Sequence, residues 1–162
     1  MSKLITWGWE KKKRTLLRYI KIGDIFCFKY DDYTYYFGCV IAMKPKDYTI
    51  VEIFNYTSSL PVISKEIIDN AIRIFHPINL DAYSLFDRKV EGEWRIIGHY
   101  EGYAIKDEDN ISFAVGVVFP RKMDINGNLT KISPEEAEGL QDFAYLGDTN
   151  VKNLIESSIR AV

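Results

Sequence analysis

Residues 21–43, KIGDIFCFKYDDYTYYFGCVIAM, constrain the fold more than any other stretch. Phe26, Phe28 and Tyr30 fall at every second position, and Tyr33, Tyr35, Phe37, Cys39, Ile41 and Met43 do the same after a polar break. Side chains alternate across a strand, so two such runs around a short break predict a β-hairpin. Asp31-Asp32 is the expected turn. That register sets Tyr30 opposite Tyr33, Cys27 opposite Tyr36 and Cys39 opposite Asp24, which keeps the two cysteines out of bridging position. The second run is apolar on both alternate sets, with Val40 and Ala42 against Cys39 and Ile41. It is therefore expected to lie centrally, covered on both faces. Gly38 in mid-strand predicts a bulge or sharp coil.

Around this hairpin the chain reads as mixed α and β structure. Tyr48 to Phe54 is a third strand, and residues 55–59 form a polar connection. Ser64 is a helix N-cap, with Ile67, Ile68, Ala71 and Ile72 following at helical spacing. His76-Pro77 closes that segment, because a residue before proline avoids the helical region. In residues 78–92 the expected anchors are Leu80, Tyr83, Leu85 and Phe86. Residues 93–103 resume the strand pattern, with Trp94, Ile96, Gly98 and Tyr100 on one face and Arg95, Ile97 and His99 on the other. Residues 113–119 alternate large with small and predict a strand stopped by Pro120, suited to a barrel wall. Asn126-Gly127 marks a turn, and Ser133 with Glu136 a capping box. Val151, Leu154, Ile155 and Ile159 predict an amphipathic C-terminal helix. The fold class expected is α+β: a strongly curved, mostly antiparallel sheet or small barrel of about 5–7 strands, flanked by two or three short helices, one of them C-terminal. Residues 1–162 are expected to be one domain, with residues 1–15 as a basic N-terminal arm.

Charge divides unevenly. Residues 1–22 carry seven Lys or Arg against Glu10, giving +6, while the rest carry fourteen basic and 22 acidic side chains, giving -8. An acidic body discourages nonspecific nucleic-acid binding and favours basic partners. No run of 18 apolar residues is present, so no membrane span is expected. Two offset cysteines suit a reducing compartment, and the cytoplasm is the expected location.

Candidates for catalysis are few. His76 and His99 are the only histidines and Cys27 and Cys39 the only thiols; they form no metal-ligand spacing. Glu91, Glu93 and Glu101 read as rim charges, and Gly23-Asp24 as a turn that opens a strand. No phosphate loop, nucleophile elbow or dinucleotide fingerprint occurs. Binding features are richer. Tyr30, Tyr33, Tyr35 and Tyr36 flank the Asp31-Asp32 tip, and Asp107, Glu108 and Asp109 supply a second acidic patch. Tyrosines anchor interfaces at low entropic cost, and nearby carboxylates steer a basic partner.

The run IKIGDIFCFKYDDYTYYFGCVI resembles the opening of immunity protein family 26 of bacterial polymorphic toxin systems. Glu93-Trp94-Arg95-Ile96-Ile97-Gly98 is similar to that family's later Trp-x-Ile-Ile-Gly segment. The resemblance spans roughly residues 12–100. It implies a cytoplasmic protein that binds the C-terminal domain of a cognate toxin, often a nuclease, and neutralises it in a 1:1 complex without catalysis. Contacts with such a basic toxin are expected at Asp31, Asp32, Tyr33, Tyr35, Glu101, Asp107, Glu108 and Asp109, with no metal, no cofactor, no membrane and no direct nucleic acid. Some similar sequences carry a phosphotriesterase label, which makes a small metal-dependent phosphoester hydrolase the alternative. A third reading gives the basic arm to RNA or DNA.

Overall fold

Strands β2 (Asp24–Asp31) and β3 (Thr34–Lys44) form the expected hairpin at the centre of a seven-stranded sheet. The computed structural model describes residues 3–11, 19–86 and 92–160. Residues 12–15 of the expected basic arm, and Glu91, lie outside the described residues. The hairpin turn is one residue later than expected. Asp31 pairs with Thr34, leaving Asp32-Tyr33 as the loop, and a bulge between Lys29 and Asp31 then resets the register. Cys27 consequently faces Phe37, and Cys39 faces Ile25. The cysteines stay offset, free and buried, and burial pushes both thiols well above their ordinary pKa.

The sheet order is β1-β6-β2-β3-β4-β5-β11, with β1 (Lys3–Thr6), β4 (Tyr48–Ser58), β5 (Ile78–Leu80), β6 (Trp94–Glu101) and β11 (Tyr145–Leu146). Its neighbours are antiparallel except for the parallel β5–β11 pair. The described sheet is open, with β1 and β11 as its edges, and does not close as a barrel. A second, four-stranded sheet runs β10-β7-β8-β9, from Gln141–Asp142, Ser112–Val115, Arg121–Asp124 and Leu129–Lys131. Helices are α1 (Lys65–Asn70), α2 (Ala82–Phe86), α3 (Pro134–Glu138) and α4 (Asp148–Arg160).

Both faces of the large sheet are covered, as the doubly apolar β3 requires. On one face Phe37, Cys39 and Ile41 of β3 join Ile25 and Cys27 beneath Ile68 of α1 and Phe113 and Met123 of the small sheet. On the other, Phe26, Phe28 and Val40 pack with Trp94, with Leu85 and Phe86 of α2, and with Val151 and Ile155 of α4. Gly38 has the role its position suggested. A Cβ there would stand 2.4 Å from both the Glu52 carbonyl oxygen and the Phe26 ring, and the β3–β4 register shifts at this point.

Several expected boundaries move, each for a nonlocal reason. Strand β4 runs through residues 55–58, since Tyr36 and Tyr35 pair with Thr57 and Ser58. Ser64 caps α1 by accepting the Ile67 amide, but the helix stops at Asn70. The chain then pairs with β4 through Arg73 and Phe54, which leaves Ile72 exposed. Leu80, Leu85 and Phe86 are buried, whereas Tyr83 turns outward. In β6 a bulge between the partners of Ile25 and Phe26 shifts Tyr100 onto the face of Ile97 rather than that of Trp94 and Ile96. The strand expected over residues 113–119 ends at Val115. Gly116 takes φ +87°, and residues 116–120 become the loop of a β7–β8 hairpin. The capping box at Ser133 and Glu136 and the Asn126-Gly127 turn form as expected.

Part of the N-terminal segment is built into the sheet. Strand β1 pairs with β6, the Trp7 indole donates to the Ile96 carbonyl at 2.9 Å, and Trp9 is buried under the Arg95 guanidinium, 4.1 Å from the ring centroid. Among the described residues no helix is long and apolar enough to cross a membrane.

His76 joins the two sheets. Its Nδ1–H donates to the Pro77 carbonyl at 2.8 Å, Nε2 accepts the Ser112 amide at 3.4 Å, and the ring stands edge-on to Phe113. Those partners suit the neutral ring, and burial, helped by the Arg73 charge, lowers its pKa below 6.5. The unfolded chain therefore takes up this proton first as pH falls. Stability from this group is complete above pH 6.5 and is lost as pH drops through the lowered value. Urea midpoints at pH 8 and pH 5 should show the wild type losing ground relative to His76→Gln at the acidic pH; parallel behaviour would refute the assignment.

Candidate partner-binding surface

The hairpin tip is the first candidate. Asp31 and Asp32 are exposed, and Tyr33 is 82% exposed. The Asp31 carboxylate accepts the Tyr33 amide at 2.8 Å, an Asx-type turn that fixes the loop. That bond, with a second from Thr34, lowers the carboxyl pKa, so the tip carries its charge at neutral pH. Tyr35 does not join this surface. Its ring packs edge-on against Trp9 at 5.3 Å, partly buried against the core. Tyr36 is buried and Tyr30 leans on it, so Tyr33 alone of the four tyrosines projects freely.

The remaining expected residues lie elsewhere. Glu101 ends β6 opposite Lys3 of β1. The β2–β6 register pairs Asp24 with His99, so Glu101 lies beyond the Asp24 end of β2. Asp31 ends the same strand seven residues away, about 23 Å at the usual strand rise. Asp107, Glu108 and Asp109 are exposed in a short turn, with Asp107 at φ 57°. That turn is tethered from its base: Lys106 Nζ donates to the Ala71 carbonyl at 2.6 Å, and Arg73 donates to the Lys106 carbonyl. Seven of the eight residues thus fall into a tip (Asp31, Asp32, Tyr33), Glu101 at the far end of the sheet and the acidic turn, while Tyr35 packs inward.

Two buried carboxylates lie in this part of the fold: Glu52, which nothing in the sequence singled out, and Asp24, read there only as part of a turn that opens a strand. Glu52, 4% exposed, accepts from Arg73 Nε at 3.0 Å and from the Tyr103 hydroxyl. Desolvation, reinforced by that carboxylate, pushes the Tyr103 phenol far above its ordinary pKa. Asp24, 5% exposed, accepts the Lys21 amide at 2.9 Å and His99 Nδ1 at 2.8 Å. Burial raises its carboxyl pKa despite these bonds. His99, which holds Asp24, lines a cleft of about 190 Å³ together with Ile22, Gly23, Tyr103 and Ile105.

The local geometry gives Gly23-Asp24 a structural task. Gly23 takes φ +98° with a notional Cβ only 2.7 Å from the Tyr100 carbonyl, and its own carbonyl accepts the Tyr100 amide. The motif therefore locks the start of β2 onto β6. His99 sits at this lock and His76 between the sheets, so the two histidines do not converge. Among the described residues no group of three or more His, Cys, Asp or Glu could hold a metal ion.

A further surface lies on the β7–β8 loop. Val117, Val118 and Phe119 are 93%, 78% and 86% exposed. Read as a strand, they are expected to be half covered. The signal that could have placed them was Gly116 and Pro120 bracketing three residues, the spacing of a hairpin loop.

The family model of Immunity protein 26 matches residues 21–122, from the turn that opens β2 to the second residue of β8. No curated protein and no solved structure matches the chain. The matched span is well over half of the sequence and contains both motifs that suggested the resemblance, Gly23-Asp24 with its lock on β6 and the Trp94 strand itself. The chain belongs to the immunity protein 26 family.

Proposed function

We propose that this protein neutralises a cognate bacterial toxin by stoichiometric binding, as a 1:1 complex formed in the cytoplasm, and that the toxin domain is basic, as a nuclease would be. Family membership supports immunity in general. The observation that carries the finer reading is the hairpin tip, where two carboxylates and Tyr33 project together at one end of the sheet. A nuclease cleft is positive because it binds phosphate, so an acidic tip can steer to it and exclude substrate. Glu101 and the turn of Asp107, Glu108 and Asp109 are assigned to flanking contacts with the same toxin, each reaching a different part of it. Tyr35 supports the tip from within through its contact with Trp9.

Co-expression with the toxin encoded beside this gene should restore growth and yield a co-purifying complex. A toxin that keeps its activity at equimolar mixing defeats the reading. The paired variant Asp32→Lys/Tyr33→Ala leaves the Asp31 turn intact. It should slow association with the toxin roughly tenfold at low salt, with a smaller effect at high salt. An unchanged association rate would remove the tip from the interface.

A further inference from the structure

Loop 116–120 exposes more apolar surface than a hairpin needs. It is also well braced. Val115 pairs with Arg121 at its base, Pro120 is buried, and the Ile132 amide donates to the Pro120 carbonyl at 3.4 Å. A loop fixed in this way loses little conformational freedom on binding. Beside it opens a cleft of about 480 Å³, walled by Val118, Phe119, Pro120, Ile132 and Pro134. Pockets of roughly 300–1,000 Å³ seat small ligands, so this one has room for a large apolar side chain.

Charge specifies the occupant further. Arg121 and Lys131 both line the cleft, both are exposed, and they are cross-strand partners in the β8–β9 register. Like charges directly opposite on one face destabilise a sheet. Among the described residues no carboxylate forms an ion pair with either of them. Residues 23–162 carry a net charge of -8, and against that balance the pair makes a cationic mouth on an apolar cleft. A carboxylate supplied from outside would relieve the repulsion while an adjacent apolar group fills the space.

We propose that this cleft and the Val117, Val118 and Phe119 loop form a second toxin-docking site, taking a large apolar side chain of the toxin flanked by Asp or Glu. The inference rests on the immunity reading above and deepens it. The site contacts an acidic-apolar part of the toxin, whereas the hairpin tip addresses a basic part. The family match ends at Lys122, so β9 and α3, which complete the cleft, lie in the part of the chain beyond the shared pattern. Such a position suits recognition of one particular toxin.

The test is calorimetric titration of a catalytically inactive form of the toxin domain encoded beside this gene. It uses the wild type, Val118→Ser/Phe119→Ser, Lys131→Glu, and the tip pair Asp32→Lys/Tyr33→Ala. Removing an interface anchor of this kind should weaken binding at least about 30-fold. Lys131→Glu should weaken it by about tenfold and reduce its salt dependence. No unfolding midpoint should fall, because the altered side chains are exposed, and that of Lys131→Glu should rise slightly, since it sets a carboxylate opposite Arg121. If the wild type binds and both cleft variants bind within twofold of it, the cleft proposal fails, while loss in the tip variant keeps the immunity reading. If the wild type does not bind, both fall. A loop variant that keeps toxin affinity but no longer sediments with phosphatidylserine vesicles, or no longer dimerises, would overturn the proposal in favour of a bilayer or a second copy.

Discussion

Replacing Phe28 with alanine is expected to destabilise the protein by about 3–5 kcal/mol, the range for deleting a buried aromatic side chain. Phe28 is 0% exposed. Its ring lies 3.9 Å from that of Trp94 at an interplanar angle of 3°, and Tyr36 and Phe26 stack at its margins. The surrounding rings belong to strands held by backbone hydrogen bonds, so they cannot collapse into the vacated space. The effect reaches further through Trp94, whose indole N–H donates to Asp148 at the start of α4 at 2.8 Å. A loosened indole loosens the docking of that helix. A domain of this size holds only about 5–15 kcal/mol of net stability, so the variant sits near the edge of folding. Urea unfolding at 25 °C measures the loss, and Phe28→Leu should restore more than half of it. A loss below about 1 kcal/mol would mean that the helix-covered face is not packed as described.

Arg73→Ala carries the second large effect, with an upper range of about 3–5 kcal/mol for stranding one member of a buried ion pair. The Glu52 side chain is 4% exposed and its partner 19%, so solvent screens the pair little. Without the guanidinium, Glu52 keeps only the Tyr103 hydroxyl. The double variant Glu52→Gln/Arg73→Ala removes the orphaned charge and should recover a substantial part of the loss. Equal destabilisation of single and double variants would show that packing, not charge, dominates. The same substitution has a functional consequence, because Arg73 also holds the Lys106 carbonyl at the base of the acidic turn. Faster amide exchange over residues 106–110 should accompany the loss of stability. On the proposed assignment of Asp107, Glu108 and Asp109 to toxin contacts, weaker binding should follow from the slackened turn.

Features governed by nearest neighbours were legible in the sequence. Ser64 and the Ser133–Glu136 pair announce helix starts because their side chains satisfy amides three residues on. Asn126-Gly127 turns because Gly127 takes φ +84° while the Asp124 carboxylate accepts the Asn126 and Asn128 amides. The alternation of β3 announced a strand covered twice. The exposure of Asp31, Asp32 and Tyr33 at the hairpin tip was legible for the same reason, although Tyr35 was assigned outward with them. Its direction depends on Trp9, 26 residues earlier, closing over it.

The C-terminal helix shows where such legibility stops. Its spacing placed Val151 and Ile155 inward correctly, yet Ile159, one turn further on the same face, is 57% exposed. The end of α1 is similar: Ile72 fits the helical period, but pairing of Arg73 with Phe54 on β4 draws the chain out of the helix.

The sequence by itself determined which residues prefer strand, helix or turn, that the second strand of the central hairpin would be covered on both faces, and that the chain carries the Immunity protein 26 pattern. These follow from side-chain periodicity and local hydrogen bonding, which act over a few residues. Only the tertiary structure decided the rest: the bulges that reset each register, the burial of Glu52 with Arg73 and Tyr103, the separation of the acidic positions, and the exposure of Val117, Val118 and Phe119. Each depends on what a strand or loop meets from a distant part of the chain. A single extra residue in one strand transfers every later side chain to the opposite face.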